Sequence, residues 1–423
     1  MSEPRDILRA LLDAALAAAD PAHSLAAFVP EPPAGRTVVI GFGKSGAAMA
    51  RALEAAREGP LQGLVVTRYG HGVETETIRV LEASHPVPDQ AGVDASRAIL
   101  GEVAGLSADD LVICLISGGG SALLTLPPDT VSLAEQQALT QDMLACGATI
   151  SEINTVRKHL EQVKGGRLAA ACAPARVVSL IISDVPGDDL SAIASGPTVG
   201  DPTTAAEARE LLARYGITPA PSIATHLDSP AAETPDPDDP IFTSVENRLI
   251  ATPQMSLEAA AAKARELGLT PVILSDRIEG ESREAAKVIA GIARQAQTHG
   301  QPARAPCVLL SGGETTVTLS ETGRVKGRGG PNTEFLLSLA IALDGQPGIH
   351  AIACDTDGVD GSEDNAGAVV GPDTLERARA CGMKPIDFQG DNDAWGFFDA
   401  LGDLVVTGPT LTNVNDFRAV LIL

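Results

Sequence analysis

Residues 37–58 read TVVIGFGKSGAAMARALEAARE, in which a β-branched run leads into Gly41-x-Gly43-x-x-Gly46 and then into a helix-forming segment. This spacing is typical of the first turn of a Rossmann βαβ unit, where glycines let the backbone approach a pyrophosphate. Lys44 lies inside the turn, and its ammonium would sit beside any bound phosphate. The stretch therefore predicts a strand, an anion-binding loop and a helix. It leaves open whether the ligand is a dinucleotide or the phosphates of a nucleotide.

The same strand–loop–helix pattern recurs along the chain. The run LVVT is followed by RYGHG, LVICLI by SGGGS and VVSLII by SDVPGDD. Each of these turns leads into an Ala- and Leu-rich segment. This alternation predicts an α/β fold with a parallel sheet covered by helices on both faces. Ligands of such sheets bind beyond the carboxyl ends of the strands, so we expect the functional site in these loops.

The chain length of 423 residues predicts two domains, because single hydrophobic cores rarely grow beyond about 250–300 residues. Residues 219–240, PAPSIATHLDSPAAETPDPDDP, accumulate Pro and Asp and form either a linker or a long excursion. We predict a Rossmann-like N-terminal domain, residues 1–240, and a smaller C-terminal α/β domain, residues 241–423.

Composition excludes several classes of partner. A net charge of −24 and 3% aromatic residues lack the basic footprint and stacking surface that nucleic acids and anionic membranes require. The six cysteines show no C-x-x-C spacing, so we expect free thiols and a cytoplasmic location. The N-terminus has an amphipathic helix pattern rather than a signal peptide. The sequence leaves open whether the chain forms a homodimer.

Two further glycine loops follow apolar strands. Three consecutive glycines, as in the first of them, let a ligand or another backbone approach closely, although a flexible turn would look the same. We expect their amides to hold phosphate or a substrate carboxylate. The residues concerned are Ser117, Gly118, Gly119, Gly120 and Ser121 in SGGGS, and Ser311, Gly312, Gly313 and Glu314 in SGGET.

Acidic side chains follow two other strands. Asp184 and Asp189 lie in SDVPGDD, and Asp355 and Asp357 lie in DTDGVDG. Carboxylates in such turns suit Mg²⁺, a general base that orients a hydroxyl, or simple capping.

Two basic segments stand out in an acidic chain. Residues 152–168, EINTVRKHLEQVKGGRL, carry side chains that could receive a carboxylate or phosphates, or that decorate an exposed helix. These side chains are Asn154, Arg157, Lys158, Lys164 and Arg167. Farther along, GRVKGRGG places Lys326 and Arg328 between glycines, where an arginine can stabilise a transferred phosphoryl group.

A dinucleotide enzyme remains the alternative. NAD binding calls for an acidic residue at the end of the next strand, and NADP for an arginine nearby. That strand here ends in Thr67 and Arg68. NAD is therefore disfavoured, and an NADPH-dependent reductase stays open.

Taken together and in this order, the loops resemble the glycerate 2-kinase family of the MOFRL type, whose members are also often labelled hydroxypyruvate reductase. The resemblance extends over nearly the whole chain. It rests on GFGKSG, SHPVPDQAG, LISGGGSALL, INTVRKHLEQVKGGRLA, SDVPGDDLSAIASGPTVGDPTT, LLSGGET, GRGGPNTEF, DTDGVDG and TGPTLTNVND.

The resemblance implies that the γ-phosphoryl group of ATP is transferred, with Mg²⁺, to the 2-hydroxyl of D-glycerate in a cleft between the domains. It implies catalytic roles for Lys44 and Arg328. From the acidic turns themselves we predict that Asp189 orients the hydroxyl and that Asp184, Asp355 and Asp357 hold Mg²⁺. Family members often have arginine where this chain has Pro331. The reductase alternative would instead deliver a hydride to hydroxypyruvate.

Overall fold

A computed structural model describes residues 3–319 and 327–423. The chain forms two compact units, which we describe separately. The parallel-sheet unit comprises Pro21–Ile250, and the mixed-sheet unit comprises Met1–Asp20 together with Ala251–Leu423.

The parallel-sheet unit is built on six strands in the order 3-2-1-4-5-6. They are β1 (Thr37–Phe42), β2 (Gln62–Arg68), β3 (Arg79–Ala83), β4 (Leu111–Ile116), β5 (Arg176–Ile182) and β6 (Val245–Ala251). Strand β1 pairs in parallel with β2 and β4, and the pairs β2–β3 and β4–β5 are also parallel. This order is typical of Rossmann folds, in which ligands bind where the strand order reverses, here between β1 and β4.

Strands β1 and β4 are buried along their whole length. A strand covered on both faces needs apolar residues at every position, which is why TVVIGF and LVICLI do not alternate with polar residues. The helices of this unit are α2 (Pro21–Ser24), α3 (Gly46–Ala56), α4 (Gln90–Val103), α5 (Gly120–Leu123), α6 (Leu133–Ala145), α7 (Ile150–Lys158), α8 (Arg167–Cys172), α9 (Ala205–Arg214) and α10 (Pro221–Leu227).

The proline-rich residues 219–240 are not a linker. Ile223 and Leu227 of α10, followed by Ala232, are buried in an apolar cluster with residues of α6, α7 and α9. Pro221 stands in the first turn of α10, where proline costs no hydrogen bond. The segment is therefore an excursion within the parallel-sheet unit, and Pro221, Pro230 and Pro240 each begin a helical turn.

The mixed-sheet unit contains a six-stranded sheet in the order β13-β12-β11-β14-β9-β7. Its strands are β7 (Thr270–Ser275), β9 (Cys307–Ser311), β11 (Ile349–Asp355), β12 (Gly367–Val370), β13 (Leu404–Val405) and β14 (Asp416–Ile422). Among the described strands of this sheet, β7 and β9 pair in parallel and the other pairs are antiparallel. Two short strands, β8 (Gly280–Glu281) and β10 (Thr315–Thr316), pair separately. The second sheet is thus not a copy of the first.

Helices cover both faces of the mixed sheet. They are α1 (Pro4–Ala19), α11 (Pro253–Glu266), α12 (Ser282–His299), α13 (Pro331–Leu343), α14 (Thr374–Ala380), α15 (Pro385–Gly390) and α16 (Ala394–Leu401). Helices α1 and α11 share one apolar core with the sheet, and α12 and α13 share another.

The compact units differ from the predicted boundaries of 1–240 and 241–423. Helix α1 packs on α11, and Ser256 Oγ donates a hydrogen bond of 3.0 Å to the Ala15 carbonyl. Leu8, Leu11 and Leu12 form the buried stripe of α1. An amphipathic pattern identifies such a stripe but not its partner, so the sequence could not assign α1 to the second unit.

We expect Leu11→Ala to lower the free energy of unfolding by about 2–5 kcal/mol, because it removes a fully buried leucine and leaves a cavity. Chemical denaturation would measure the change. Val288→Ala is the matched control, because Val288 is 64% exposed and surface changes cost about 0.5 kcal/mol or less. Equal effects of the two substitutions would contradict the packing of α1.

No helix within residues 3–319 and 327–423 is both long and apolar enough to span a bilayer. All six cysteines are free, as predicted, and those at positions 114, 172, 307 and 354 are buried. Burial raises the pKa of the Cys114 thiol well above its usual value, which makes it unreactive.

Candidate active site

The loops that follow β1 and β4 lie together at the reversal of strand order. The Lys44 amide donates to the Gly118 carbonyl at 2.8 Å, and the Ser45 amide donates to Ser117 Oγ at 3.0 Å. The Ser117 amide returns a bond of 3.1 Å to the Phe42 carbonyl. The structure therefore brings together the predicted GFGKSG and SGGGS loops.

The amides of the first glycine loop are engaged within the protein. Besides those of Lys44 and Ser45, the Gly43 amide donates to the Val66 carbonyl and the Gly46 amide to the Gly43 carbonyl. Gly41 is required for close packing, since a Cβ there would lie 2.8 Å from the Leu115 Cβ. The cofactor-binding role of Gly41, Gly43 and Gly46 stays a prediction, and these bonds do not favour it.

The SGGGS loop has amides available for an anion. Gly119 adopts the left-handed conformation, with φ of 76°, at the start of α5. The amides of Gly118 and Gly119 have no acceptor among the described residues. A Cβ on Gly119 would lie 2.9 Å from His85 Nε2 and 3.3 Å from Lys44 Cγ, so the lysine stem runs beside this loop. Backbone amides next to a cation form a suitable anion site.

A chain of polar side chains extends from the same loop. Ser121 Oγ lies 2.8 Å from Ser195 Oγ, and Ser195 Oγ donates to Asn154 Oδ1 at 3.3 Å. Arg157 Nη1 donates to the same Asn154 oxygen at 3.2 Å. Sequence reasoning selected Asn154 and Arg157 but missed Ser195. A serine in a glycine- and proline-rich turn has no spacing that marks it, and only the quoted SGPT block pointed to the region.

The other cations of the basic segment are held by structural partners. Lys158 lies 3.4 Å from Asp201, Lys164 lies 2.5 Å from Glu161, and Arg167 donates to the carbonyls of residues 231–233. Burial lowers the pKa of Lys164 to about 8, although Glu161 opposes the shift. The alternative of an exposed, decorated helix is therefore wrong for these buried lysines.

The SDVPGDD loop uses one of its carboxylates to form its own turn. Asp189 is exposed, and its Oδ1 accepts the Ser191 amide at 2.9 Å. Asp188 has a φ of 57°, in the left-handed region. Asp184 is half-buried at the end of β5. The catalytic role of Asp189 and the metal-binding role of Asp184 stay predictions.

The SGGET loop of the mixed-sheet unit is packed against its own backbone. The Gly312 amide donates to the Ser275 carbonyl at 2.8 Å, and the Gly312 carbonyl accepts from the Ile278 amide at 3.2 Å. Gly313 has a φ of 114°, and a Cβ there would lie 2.3 Å from the Ile278 nitrogen. Glu314 is exposed. The loop requires glycine for packing, and its ligand role, with Ser311, stays a prediction.

Asp355 and Asp357 follow β11 in successive turns. The Asp357 amide donates to Asp355 Oδ1, and the Val359 amide donates to Asp357 Oδ1, both at 2.9 Å. The described residues contain no preformed cluster of three or more metal-ligating side chains. Mg²⁺, however, commonly takes only one or two carboxylates together with substrate phosphates. A carboxylate has about four acceptor positions, so this pair fits such a partial site.

A buried polar network in the mixed-sheet unit escaped sequence reasoning. The Arg418 guanidinium donates to Asp416 and, at 2.8 Å, to Thr315 Oγ1. Asn332 Nδ2 donates to Asp416 Oδ1 at 2.6 Å and to Asp360 Oδ1 at 3.3 Å. The network joins the start of α13 to β14. Thr315, Asn332, Asp360 and Asp416 lie in the quoted motifs and Arg418 lies outside them. Nothing in the spacing of these residues indicates a mutual contact.

Burial raises the pKa of the Asp360 carboxyl to about 6, although hydrogen bonds from Asn332 and Thr333 oppose the shift and nearby Asp416 adds to it. The folded protein therefore holds this proton more tightly than the unfolded chain. We expect the free energy of unfolding to fall as pH rises from about 4 to about 6, by up to about 1.4 kcal/mol per pH unit. Denaturant unfolding across this range would measure it. Asp360→Asn should remove this contribution, and an unchanged slope would contradict the assignment.

Arg328 lies just before α13, with its guanidinium stacked on the Trp395 ring at 3.9 Å from the centroid. The Arg328 amide donates to Asp393 Oδ1, and the Trp395 amide donates to the Arg328 carbonyl, both at 3.0 Å. The side chain is exposed. Pro331 occupies the first turn of α13, where it favours helix initiation. Lys326 lies outside the described residues.

Two family models match successive parts of the chain. Residues 7–228 match the model described as a domain of unknown function, DUF4147, and residues 307–416 match the MOFRL family. A putative hydroxypyruvate reductase of Agrobacterium vitis is 55% identical over 99% of this chain and 94% of its own length. The D-glycerate 2-kinase of Thermotoga maritima is 40% identical over 90% of this chain and 89% of its own length.

A crystal structure of glycerate kinase from Thermotoga maritima superposes with a TM-score of 0.90 and 37% identity. The match covers 99% of this chain and all of that one. The fold and the loops at its switch point thus define a two-domain α/β protein of the MOFRL class. The chain belongs to the MOFRL-type glycerate 2-kinase family, and the resemblance predicted from its motifs is confirmed.

Proposed function

We propose that this protein is an ATP-dependent kinase that transfers the γ-phosphoryl group of ATP to the 2-hydroxyl of D-glycerate, giving 2-phosphoglycerate. One observation carries the proposal: Lys44 runs beside the available amides of Gly118 and Gly119, at the switch point of a Rossmann-like sheet. The kinship with proteins named D-glycerate 2-kinase and glycerate kinase supports the substrate.

Phosphoryl transfer requires positioning and charge neutralisation more than covalent chemistry from the protein. The 2-hydroxyl oxygen forms a bond to the γ-phosphorus, the bond from that phosphorus to the bridging oxygen breaks, and ADP leaves. We assign charge neutralisation to the Lys44 ammonium and anion binding to residues 117–121. Asp189 is the proposed residue that orients the hydroxyl and accepts its proton.

In the mixed-sheet unit we assign Arg328 as a second cation for the phosphoryl group and residues 311–314 as further nucleotide contacts. Asp355 and Asp357 of this unit are proposed ligands of Mg²⁺, which when bound would neutralise phosphate charge. Asp184, in the parallel-sheet unit, stays a proposed Mg²⁺ ligand in its own right. The free cysteines support a reducing cytoplasmic location.

NADPH-dependent reduction of hydroxypyruvate is the second candidate, because a relative at 55% identity is named a putative hydroxypyruvate reductase. That activity would place a pyrophosphate on residues 41–46 and a 2′-phosphate near Arg68. The amides of residues 43–46 already donate to acceptors in the protein. We therefore rank the reductase below the kinase.

The test is to incubate the purified protein with D-glycerate, ATP and Mg²⁺ and to resolve the products by phosphorus NMR. We expect ADP and 2-phosphoglycerate in equal amounts. A parallel reaction with hydroxypyruvate and NADPH should leave the NADPH absorbance unchanged. Formation of 3-phosphoglycerate would contradict the regiochemistry, and NADPH consumption without phosphorylation would favour the reductase.

A further inference from the structure

The buried end of α7 and the loop after it carry more positive than negative charge. Glu161 is buried, and its carboxylate is fully engaged. It accepts hydrogen bonds from Lys164 Nζ at 2.5 Å, Gln136 Nε2 at 2.9 Å, Thr125 Oγ1 at 2.8 Å and the Leu126 amide at 2.6 Å. Glu161 therefore serves as the ion-pair partner of Lys164.

Arg157 is the second cation near this carboxylate. It is half-buried, and burial lowers the pKa of its guanidinium although Glu161 opposes the shift. Among the described residues Arg157 forms no ion pair, and its hydrogen bond goes to the neutral Asn154 side chain. Two cations thus share one carboxylate in a protein with a net charge of −24. A partly desolvated charge without an ion-pair partner favours a bound anion, so an anionic ligand is the expected partner of Arg157.

A chain of hydrogen bonds connects Arg157 to the SGGGS loop. Asn154 Oδ1 accepts from both Arg157 and Ser195, and Ser195 contacts Ser121, the last residue of that loop. Ser195 has a φ of 64°, a conformation that costs a non-glycine residue energy and persists only where the surroundings impose it. The hydroxyls, the amide and the guanidinium are all groups that bind carboxylate oxygens.

We propose that Arg157, together with Asn154, Ser195 and Ser121, binds the carboxylate of the hydroxy-acid substrate. The inference rests on the proposed kinase function, which it deepens by separating two anion sites. Lys44 and the Gly118 and Gly119 amides receive the phosphoryl group, while the planar guanidinium fork receives the carboxylate, whose geometry it matches.

Arg157→Gln is expected to raise KM for D-glycerate by about 10- to 100-fold, because it removes a hydrogen bond to a charged group. KM for ATP should stay within about twofold of the wild-type value. The neutral analogue D-glyceramide should be phosphorylated equally by the wild type and the variant. Arg157→Lys should recover part of the D-glycerate affinity. Arg176→Gln, an exposed arginine of β5 paired with Glu246, is the control and should leave both constants unchanged.

Calorimetric titration with D-glycerate alone, without nucleotide, separates this inference from the kinase function. Binding that is lost in Arg157→Gln supports the carboxylate site even if no phosphoryl transfer occurs in the wild type. A rise in KM for ATP with an unchanged KM for D-glycerate would assign Arg157 to nucleotide phosphate and overturn the proposal, as would wild-type-like binding. Circular dichroism would verify that each variant folds. If Arg157→Gln does not fold, Ser121→Ala replaces it, and we expect Ser121→Ala to weaken the binding of D-glycerate about tenfold.

Discussion

Lys44→Ala is expected to lower kcat for D-glycerate phosphorylation by about 10²- to 10³-fold, the effect of removing one preorganised group that stabilises charge in the transition state. The lysine stem passes beside Gly119, and the Lys44 amide holds the SGGGS loop through the Gly118 carbonyl. Substitution keeps that backbone bond and removes only the ammonium. The loss should therefore appear in kcat more than in KM for ATP. Steady-state kinetics with coupled ADP detection would measure both.

Lys263→Ala is the matched control, since the Lys263 side chain is 39% exposed and pairs with Glu266 within α11. It removes a lysine charge from the same protein and should leave kcat unchanged. Lys44→Arg keeps the charge but changes its shape, so it should recover only part of the rate. A Lys44→Ala variant with near wild-type kcat would contradict the role of the first loop.

Asp416→Ala is expected to lower the free energy of unfolding by about 3–5 kcal/mol, the cost of leaving a buried charge without its partner. Arg418 is 1% exposed and, among residues 3–319 and 327–423, would keep the Thr315 hydroxyl and the Gly312 carbonyl as its acceptors. Asn332 would also lose its 2.6 Å bond. Denaturant unfolding followed by circular dichroism would measure the change.

Two variants sharpen this test. Asp373→Ala breaks an exposed ion pair with Arg377 and should cost about 1 kcal/mol or less. Combining Asp416→Ala with Arg418→Met removes both charges and should recover part of the stability. Loss of less than about 1 kcal/mol in Asp416→Ala would show that the network does not hold α13 to β14.

The parallel-sheet unit was predictable because its strands are buried on both faces and therefore appear as uninterrupted apolar runs, as in LVICLI. The antiparallel arrangement of the mixed sheet was not predictable. Pairing direction depends on contacts between distant segments, such as β11 with β14, and local alternation does not encode them. The same reason applies to α1, whose pattern defined an apolar stripe without a partner.

The candidate site was predictable to the level of its loops. Chemistry-bearing residues such as Lys44, Asn154 and Arg157 stand out by type in an acidic, glycine-rich chain. The sequence could not show which backbone amides and which charged side chains already have hydrogen-bond or ion-pair partners within the protein. Only the structure shows that the Gly43 amide is engaged while that of Gly118 has no acceptor among the described residues.

The most direct test of the account is a label-transfer measurement with ATP carrying a labelled γ-phosphoryl group, D-glycerate and Mg²⁺. We predict that the wild type moves the label to the 2-position of glycerate and that the Lys44→Ala variant does so at least about 100-fold more slowly. Label that stays on ATP while the same preparation oxidises NADPH with hydroxypyruvate would contradict it.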